Sequence, residues 1–129
     1  MRLFKNAWFV RFARKENLLD EWLWDAVARA EKGLVDADLG GGVIKQRIAR
    51  PGGGRSKGYR SIVLFRKGDK AFFIYGFPKS AIENLRADEK VLFKKAAKSV
   101  LTLSDDQIQQ LVVNGQLEEV KKGGQEIPH

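Results

Sequence analysis

Residues 43–80 constrain the fold of this 129-residue chain more than any other stretch. Short apolar, strand-like runs alternate there with positive charge, and a glycine-rich segment, PGGGRSKG, interrupts them at residues 51–58. Ten residues of the stretch are Lys or Arg and one is Asp, a net charge of +9, whereas the whole chain carries +8. The excess positive charge therefore lies in one strand-rich region, which indicates a surface for a polyanion such as RNA or DNA.

The composition excludes several kinds of site. There is no cysteine, so a disulfide framework and thiolate chemistry are excluded. The one histidine, His129, is the last residue, which excludes a His-based triad or a paired-His ribonuclease site unless a partner supplies groups. No apolar run approaches the roughly 20 residues that cross a bilayer, and no signal-peptide pattern opens the chain. We expect a cytoplasmic protein with no metal, no cofactor and no membrane contact.

The apolar periodicity predicts an α+β fold with the order β-α-β-β-β-α-α. Residues 4–13 are rich in aromatic and β-branched side chains and are predicted to form the first strand. Asn17 is expected to cap a helix whose apolar positions recur from Leu19 to Ala30, and residues 34–39 are expected to form a turn or a short helical segment. A single domain is predicted over residues 1–120, with a flexible tail at residues 121–129.

The basic region and the C-terminal third complete this prediction. Strands are predicted at residues 43–50, 59–65 and 71–77, with a hairpin turn at Gly68-Asp69. The last of these strands is apolar on both faces, which is typical of a central strand. A helix at residues 88–103, a short helix opened by a Ser104/Gln107 capping box and a final strand at 116–120 follow. The predicted sheet has about four antiparallel strands packed against helices.

Alternation within residues 43–50 points Ile44 and Ile48 to one face and Lys45 and Arg47 to the other. Metal-free RNA cleavage uses the substrate 2′-hydroxyl as nucleophile, so a protein must remove its proton and stabilise a dianionic transition state. A lysine crowded by other cations has its ammonium form disfavoured and can act as a base, and a guanidinium offers a planar fork to phosphate oxygens. Lys45 and Arg47 share one face of their predicted strand, Arg60 lies on the neighbouring strand, and Lys79 follows the third strand. The predicted catalytic set is therefore Lys45, Arg47, Arg60 and Lys79.

Two segments carry a resemblance to a known family. Phe12-Ala13-Arg14-Lys15-Glu16 and the run GLVDADLGGGVIKQRIARPGGGRSKGYRSIVLFRKGDKAFFIYGFPKS at residues 33–80 resemble a RelE/HigB-type toxin of bacterial type II toxin–antitoxin modules, in the RelE/ParE superfamily. The likeness covers roughly residues 3–120. It implies a curved antiparallel sheet backed by helices, and an mRNA interferase, an endoribonuclease that usually cuts mRNA in the ribosomal decoding site. It also implies a cognate antitoxin encoded beside it.

The resemblance can be carried to individual positions. A pair of basic residues before the basic loop falls on Lys45 and Arg47, and the arginine of Gly-Tyr-Arg is Arg60. A basic residue after the last long strand, usually arginine, is matched by Lys79, whereas the tyrosine expected six positions later is Leu85, which leaves Tyr59 and Tyr75 as alternatives for proton transfer. Contacts to RNA or ribosomal RNA backbone are expected from Arg50, Arg55, Lys57 and Tyr59.

Other functions stay open at this point. A ParE-type toxin would poison DNA gyrase and cut no RNA, but a gyrase binder has no need of a converging cation cluster. A non-catalytic nucleic-acid-binding or repressor module is also compatible with the charge, although no recognition-helix motif supports it. Arg60 could instead be a structural arginine bonded to backbone carbonyls. The antitoxin is expected to present an acidic, partly disordered segment that covers the sheet or the C-terminal helices around residues 108–112.

Overall fold

A mixed sheet of six strands with helices on both faces is the architecture seen in a computed structural model, which describes residues 1–50, 58–78 and 85–122. In chain order the strands and helices are β1 (Arg2–Asn6), α1 (Ala7–Glu16), α2 (Asp20–Glu31), β2 (Ala37–Gly40), β3 (Val43–Ile48), β4 (Tyr59–Arg66), β5 (Lys70–Pro78), α3 (Ala87–Val100), α4 (Asp105–Val113) and β6 (Leu117–Val120). The α+β class is as predicted. None of the helices in the described part of the chain combines the length and apolar character that crossing a bilayer requires.

The sheet differs from the prediction in strand number and direction. Its order is β2-β3-β4-β5-β1-β6, six strands where about four were expected. β1 runs parallel to β5 and antiparallel to β6, so the sheet is mixed and not purely antiparallel. Helices α1 and α2 separate β1 from the next strand along the chain, and that strand, β2, lies at the far edge. The prediction missed β2 because its Asp38 and flanking glycines are typical of a turn.

The predicted first strand was wrong beyond Asn6. Helix α1 begins at Ala7, because the Asn6 side chain accepts a hydrogen bond from the Phe9 amide at 2.8 Å and caps the helix. Phe9 and Ala13 then lie buried at helical spacing, so packing overrides the strand propensity of the aromatic residues. Asn17 caps the end of α1 in the left-handed conformation, with φ 58°, and does not begin the next helix.

Two apolar cores cover the two faces of the sheet. On the first face, helices α1 and α2 bury residues such as Phe9 and Leu23 against Ile44, Ile48 and Val63 of the strands. On the second face, helices α3 and α4 cover the sheet, and Phe4 of β1 stacks on Phe72 of β5 with ring centroids 4.9 Å apart. The second core contains Phe4, Val43, Ile62, Leu64, Phe72, Ala97, Leu101 and Ile108.

Most of the predicted elements in the basic region and beyond are confirmed. β4 and β5 form the expected hairpin, whose turn contains Gly68 at φ +74°. β5 lies between β4 and β1, which explains why it is apolar on both faces. The Ser104/Gln107 capping box opens α4 as predicted. Directly before β3, Gly42 has φ +88°, a backbone conformation that favours glycine, and a Cβ there would lie 2.5 Å from Leu101 Cδ1, so a larger residue would also displace the Leu101 side chain at the end of α3.

Candidate active site

Strand pairing brings three of the predicted cations together. Arg47 of β3 lies directly opposite Arg60 of β4, and Lys45 lies opposite Ile62, one step along the same face. This is the second face of the sheet, because Val43 and Ile62 belong to the core under α3. All three cations are half-buried. We call Lys45, Arg47 and Arg60 the basic face.

The basic face is electrostatically unbalanced. No salt bridge joins any of its three cations to the residues that the structure describes. Two guanidinium groups placed opposite each other on paired strands repel, which costs stability in the absence of an anion. The Arg47 Nε is also shielded from solvent without a hydrogen-bond partner among the described residues. An oxyanion placed between the two arginines would offset both costs.

The backbone around Arg47 is held from the other side of the sheet. The Arg47 carbonyl accepts a hydrogen bond from Arg29 Nη2 of α2 at 2.7 Å. A Cβ on Gly58 would lie 2.8 Å from the Ile48 carbonyl oxygen and 3.6 Å from Arg47 Nε, so a glycine is needed where the chain enters β4. These contacts fix the end of β3, from which the Arg47 side chain projects.

Gln46 fixes the middle of β3 between the two cations. Its side chain is 1% exposed and points into the first core. Its Nε2 donates to the Ala26 carbonyl at 2.8 Å and to the Leu34 carbonyl at 3.0 Å, and its Oε1 accepts from the Asp36 amide at 3.3 Å. A buried amide therefore ties β3 to α2 and to the segment before β2, and so holds the strand that carries Lys45 and Arg47.

Tyr75 joins the basic face through an irregularity in β5. The pairing shifts between Ile62, which lies opposite Tyr75, and Val63, which lies opposite Phe73. Phe73 belongs to the first core, and strict alternation would place Tyr75 there as well. The extra residue, Ile74, turns Tyr75 onto the second face, where Ile62 lies between it and Lys45 in the pairing and Arg60 is its diagonal neighbour. Its ring lies against Trp8 at 4.7 Å and Phe93 at 6.2 Å.

Tyr59 lies on the opposite face from these cations. It is 5% exposed, and its hydroxyl donates to Glu16 Oε1 at 3.0 Å, which links β4 to α1. Burial, with the hydrogen bond to Glu16, raises the pKa of Tyr59, and the nearby Arg50 partly opposes this rise. The exposed Arg50 is thus close to Tyr59 and on the α1 side. The structure does not bring these two predicted RNA-binding residues to the basic face.

The remaining predicted positions are placed as follows. Leu85, at the position where tyrosine was expected, is partly buried against the second core. Lys121 and Lys122 of the predicted tail contact Glu119 and the Trp24 ring. In the described ranges, no cluster of three or more His, Cys, Asp or Glu side chains is arranged to hold a metal ion. Three predicted site residues lie outside the described residues: Arg55, Lys57 and Lys79.

Sequence reasoning missed the placement of Tyr75, although a glycine inside a strand pattern, here Gly76 of β5, is a signal for a bulge. Trp8, which was predicted to lie in the first strand, is 37% exposed and lies beside Tyr75. The helical spacing of Phe9 and Ala13 would have indicated that Trp8 lies in a helix and points away from the buried stripe.

The chain matches the sequence model of a known family. The sequence model described as RelE toxin of the RelE / RelB toxin-antitoxin system matches residues 1–120. No curated protein matches the chain.

Proposed function

The chain belongs to the RelE family of toxins, and from that premise we propose that it is a metal-independent endoribonuclease that cuts mRNA on the ribosome. As a toxin of a toxin–antitoxin system it has an antitoxin as its partner. In this proposal mRNA and ribosomal RNA are its further partners, and it acts in the cytoplasm. The observation that carries the proposal is the Arg47–Arg60 pair on the second sheet face, with Lys45 beside it.

The reaction is a transesterification within the RNA. The 2′-oxygen attacks the adjacent phosphorus and loses its proton, and the bond from phosphorus to the 5′-oxygen breaks. The products are a 2′,3′-cyclic phosphate and a 5′-hydroxyl end. Negative charge builds on the two non-bridging oxygens in the transition state, so donors placed there lower the barrier.

Each cation of the basic face has a role in this proposal. Arg47 and Arg60 lie opposite each other and bind the non-bridging oxygens of the scissile phosphate, which offsets their mutual repulsion. Lys45 is the candidate group that takes the 2′-proton. Lys79 remains a candidate for assisting the leaving oxygen, as the family pattern suggests.

Leu85 stands where the family pattern has a tyrosine, and Tyr75 is our candidate to take the role of that tyrosine. It lies opposite Ile62 and therefore on the same face as Arg60. In this position its ring can stack on a nucleobase or its hydroxyl can protonate the leaving 5′-oxygen. The two roles differ in a measurable way: Tyr75→Phe preserves stacking and removes the hydroxyl, whereas Tyr75→Ala removes both.

Primer extension on an mRNA in a translating extract tests the proposal, with naked RNA alongside. We expect codon-phased cuts with 5′-hydroxyl ends that appear only with ribosomes. Arg60→Ala should lower the cleavage rate by about 10²–10³-fold, because it removes one transition-state donor. Arg60→Lys should recover only part of this loss, since an ammonium lacks the planar fork.

Arg66→Ala is the matched control. Arg66 lies on the same strand, at the β4–β5 turn, and is 3.9 Å from Asp69, away from the basic face. The Arg66→Ala variant should cut mRNA at the wild-type rate. Wild-type cutting by a folded Arg60→Ala variant would refute the assignment of Arg60. Intact mRNA with folded wild-type protein and ribosomes present would refute the nuclease proposal, and gyrase-dependent DNA damage would then identify a ParE-type toxin.

A further inference from the structure

One edge of the sheet is open beside a groove. β6 pairs with β1 on one side, and no strand in the described ranges pairs with its other side. A groove of about 590 Å³ touches α1 through Val10 and Arg11, β6 through Leu117 and Glu118, and α4 through Val112. Because α1 and α4 cover opposite faces of the sheet, a groove that touches both and β6 must run along the outer edge of β6.

The groove continues along α1. A second cavity of about 360 Å³ shares Val10 and Glu118 with the first and extends to Leu18 and Leu19 at the start of α2. Leu19 is 49% exposed there. The two cavities together form a long, partly apolar channel beside a row of unpaired backbone groups, which is the geometry that receives an added β-strand.

The charges along this channel select the ligand. Glu118 is engaged by Lys5 at 3.1 Å, and Glu119 by Arg2 at 2.9 Å. The exposed Arg11 and Arg14 of α1, in contrast, make no ion pair with any residue in the described part of the chain. The uncompensated charge of the channel is therefore positive, and it complements an acidic peptide.

We propose that the antitoxin binds here as an extended segment of alternating acidic and apolar residues, adding a seventh strand to the sheet at β6. Its acidic side chains pair with Arg11 and Arg14, and its apolar side chains pack on Val10 and Val112. The sequence-based expectation placed the antitoxin on the sheet or on the C-terminal helices around residues 108–112. Ile108 is fully buried and unavailable, whereas Val112 lines the groove.

This inference rests on the antitoxin that the family implies and not on RNA cleavage. The channel follows the β6 edge of the sheet, whereas the basic face is carried by β4 and β3, which lie three and four positions from β6 in the strand order. Antitoxin binding is measured directly, so its outcome is independent of whether the chain cuts RNA. A failure of one proposal is therefore distinguishable from a failure of the other.

The test uses the full chain and the protein encoded beside it as the antitoxin probe. The double variant Arg11→Glu/Arg14→Glu reverses the channel charges. The matched control, Lys95→Glu/Lys98→Glu, makes the same change in net charge on exposed positions of α3. By biolayer interferometry we expect the Kd of the channel variant to rise at least 100-fold, and that of the control by less than threefold. Equal weakening of both variants would overturn the proposal, since it would reveal only a net-charge effect.

Hydrogen exchange of the complex tests the strand itself. Amides of residues 117–120 should become protected when the antitoxin binds, and protection confined to β2 or to the basic face would overturn the proposal. Val112→Asp should weaken antitoxin binding while circular dichroism stays unchanged. If the toxin alone is dimeric by analytical ultracentrifugation and this substitution makes it monomeric, a second copy of the chain occupies the edge and the antitoxin assignment is wrong.

Discussion

Replacing Gln46 with leucine tests how the strand under the basic face is held. The substitution keeps the approximate side-chain volume and removes the hydrogen bonds at 2.8 and 3.0 Å to the Ala26 and Leu34 carbonyls. The substitution also removes the bond in which the Gln46 Oε1 accepts from the Asp36 amide. Its loss costs less free energy, because the Asp36 amide also donates to the Lys45 carbonyl at 3.1 Å. Two bonds contribute about 1 kcal/mol each, and the Leu34 carbonyl is left without its donor. The free energy of unfolding should therefore fall by about 2–3 kcal/mol.

Urea unfolding followed by tryptophan fluorescence measures this loss. A decrease of 2–3 kcal/mol in the free energy of unfolding corresponds to a fall in Tm of about 8–12 °C for a domain of this size. Gln110→Leu, the same chemical change at an exposed position of α4, should alter the free energy by less than about 0.5 kcal/mol. A Gln46→Leu variant as stable as this control would refute the reasoning.

Gln46→Glu adds a pH dependence to the same test. An ionised carboxylate cannot donate to either carbonyl and is buried at this position, so folding favours its protonated form. The pKa of the introduced carboxyl is then higher in the folded chain than the value of about 4.3 in the unfolded chain. The variant should therefore lose stability as the pH rises from 4 to 7, and a flat profile relative to wild type would contradict the burial argument.

Two further predictions concern other contacts. The Arg2 guanidinium lowers the pKa of Glu119, so this pair stabilises the fold above the unfolded pKa of that carboxyl and the contribution is lost as the pH falls through the lower folded pKa. Arg2→Gln should lower the free energy of unfolding by about 0.5–1 kcal/mol at pH 7, because solvent screens this partly exposed pair. Urea titrations should show the difference from wild type closing as the pH is lowered through the acidic range in which Glu119 is protonated; a constant difference would contradict the linkage. Gly76→Ala should lower the free energy of unfolding by about 1–3 kcal/mol, because the added Cβ would lie 2.7 Å from Phe12 Cε2. Thermal melts should show partial recovery in the Gly76→Ala/Phe12→Leu double variant, and no recovery would place the strain elsewhere.

The region that could be predicted from the sequence is the one where local rules are sufficient. Alternation placed Ile44 and Ile48 in the core, and the glycine at position 68 located the β4–β5 turn. Both signals depend on neighbours in the sequence. Once these strands pair, Arg47 faces Arg60 without further information, so the basic face followed from the same pattern.

The rest depends mainly on contacts between residues that are far apart in the sequence. Trp8 and Phe9 favour strands by propensity, but the Asn6 cap and burial against β5 make them helical. The position of Tyr75 depends on the bulge at Ile74, which is decided by pairing between strands. The open edge at β6 follows from pairing with β1 at the other end of the chain.

That pairing has a consequence for how the toxin is made. The Arg2–Glu119 bond joins residues 117 positions apart, and the Asn6–Ile74 bond joins residues 68 apart. Such distant contacts slow folding, and at a synthesis rate of roughly 5–20 residues per second β1 waits at least several seconds for its last neighbour. The β3–β4 hairpin with its cations can form from local contacts well before that. An antitoxin that binds the edge of β6 therefore recognises only a toxin whose sheet is complete.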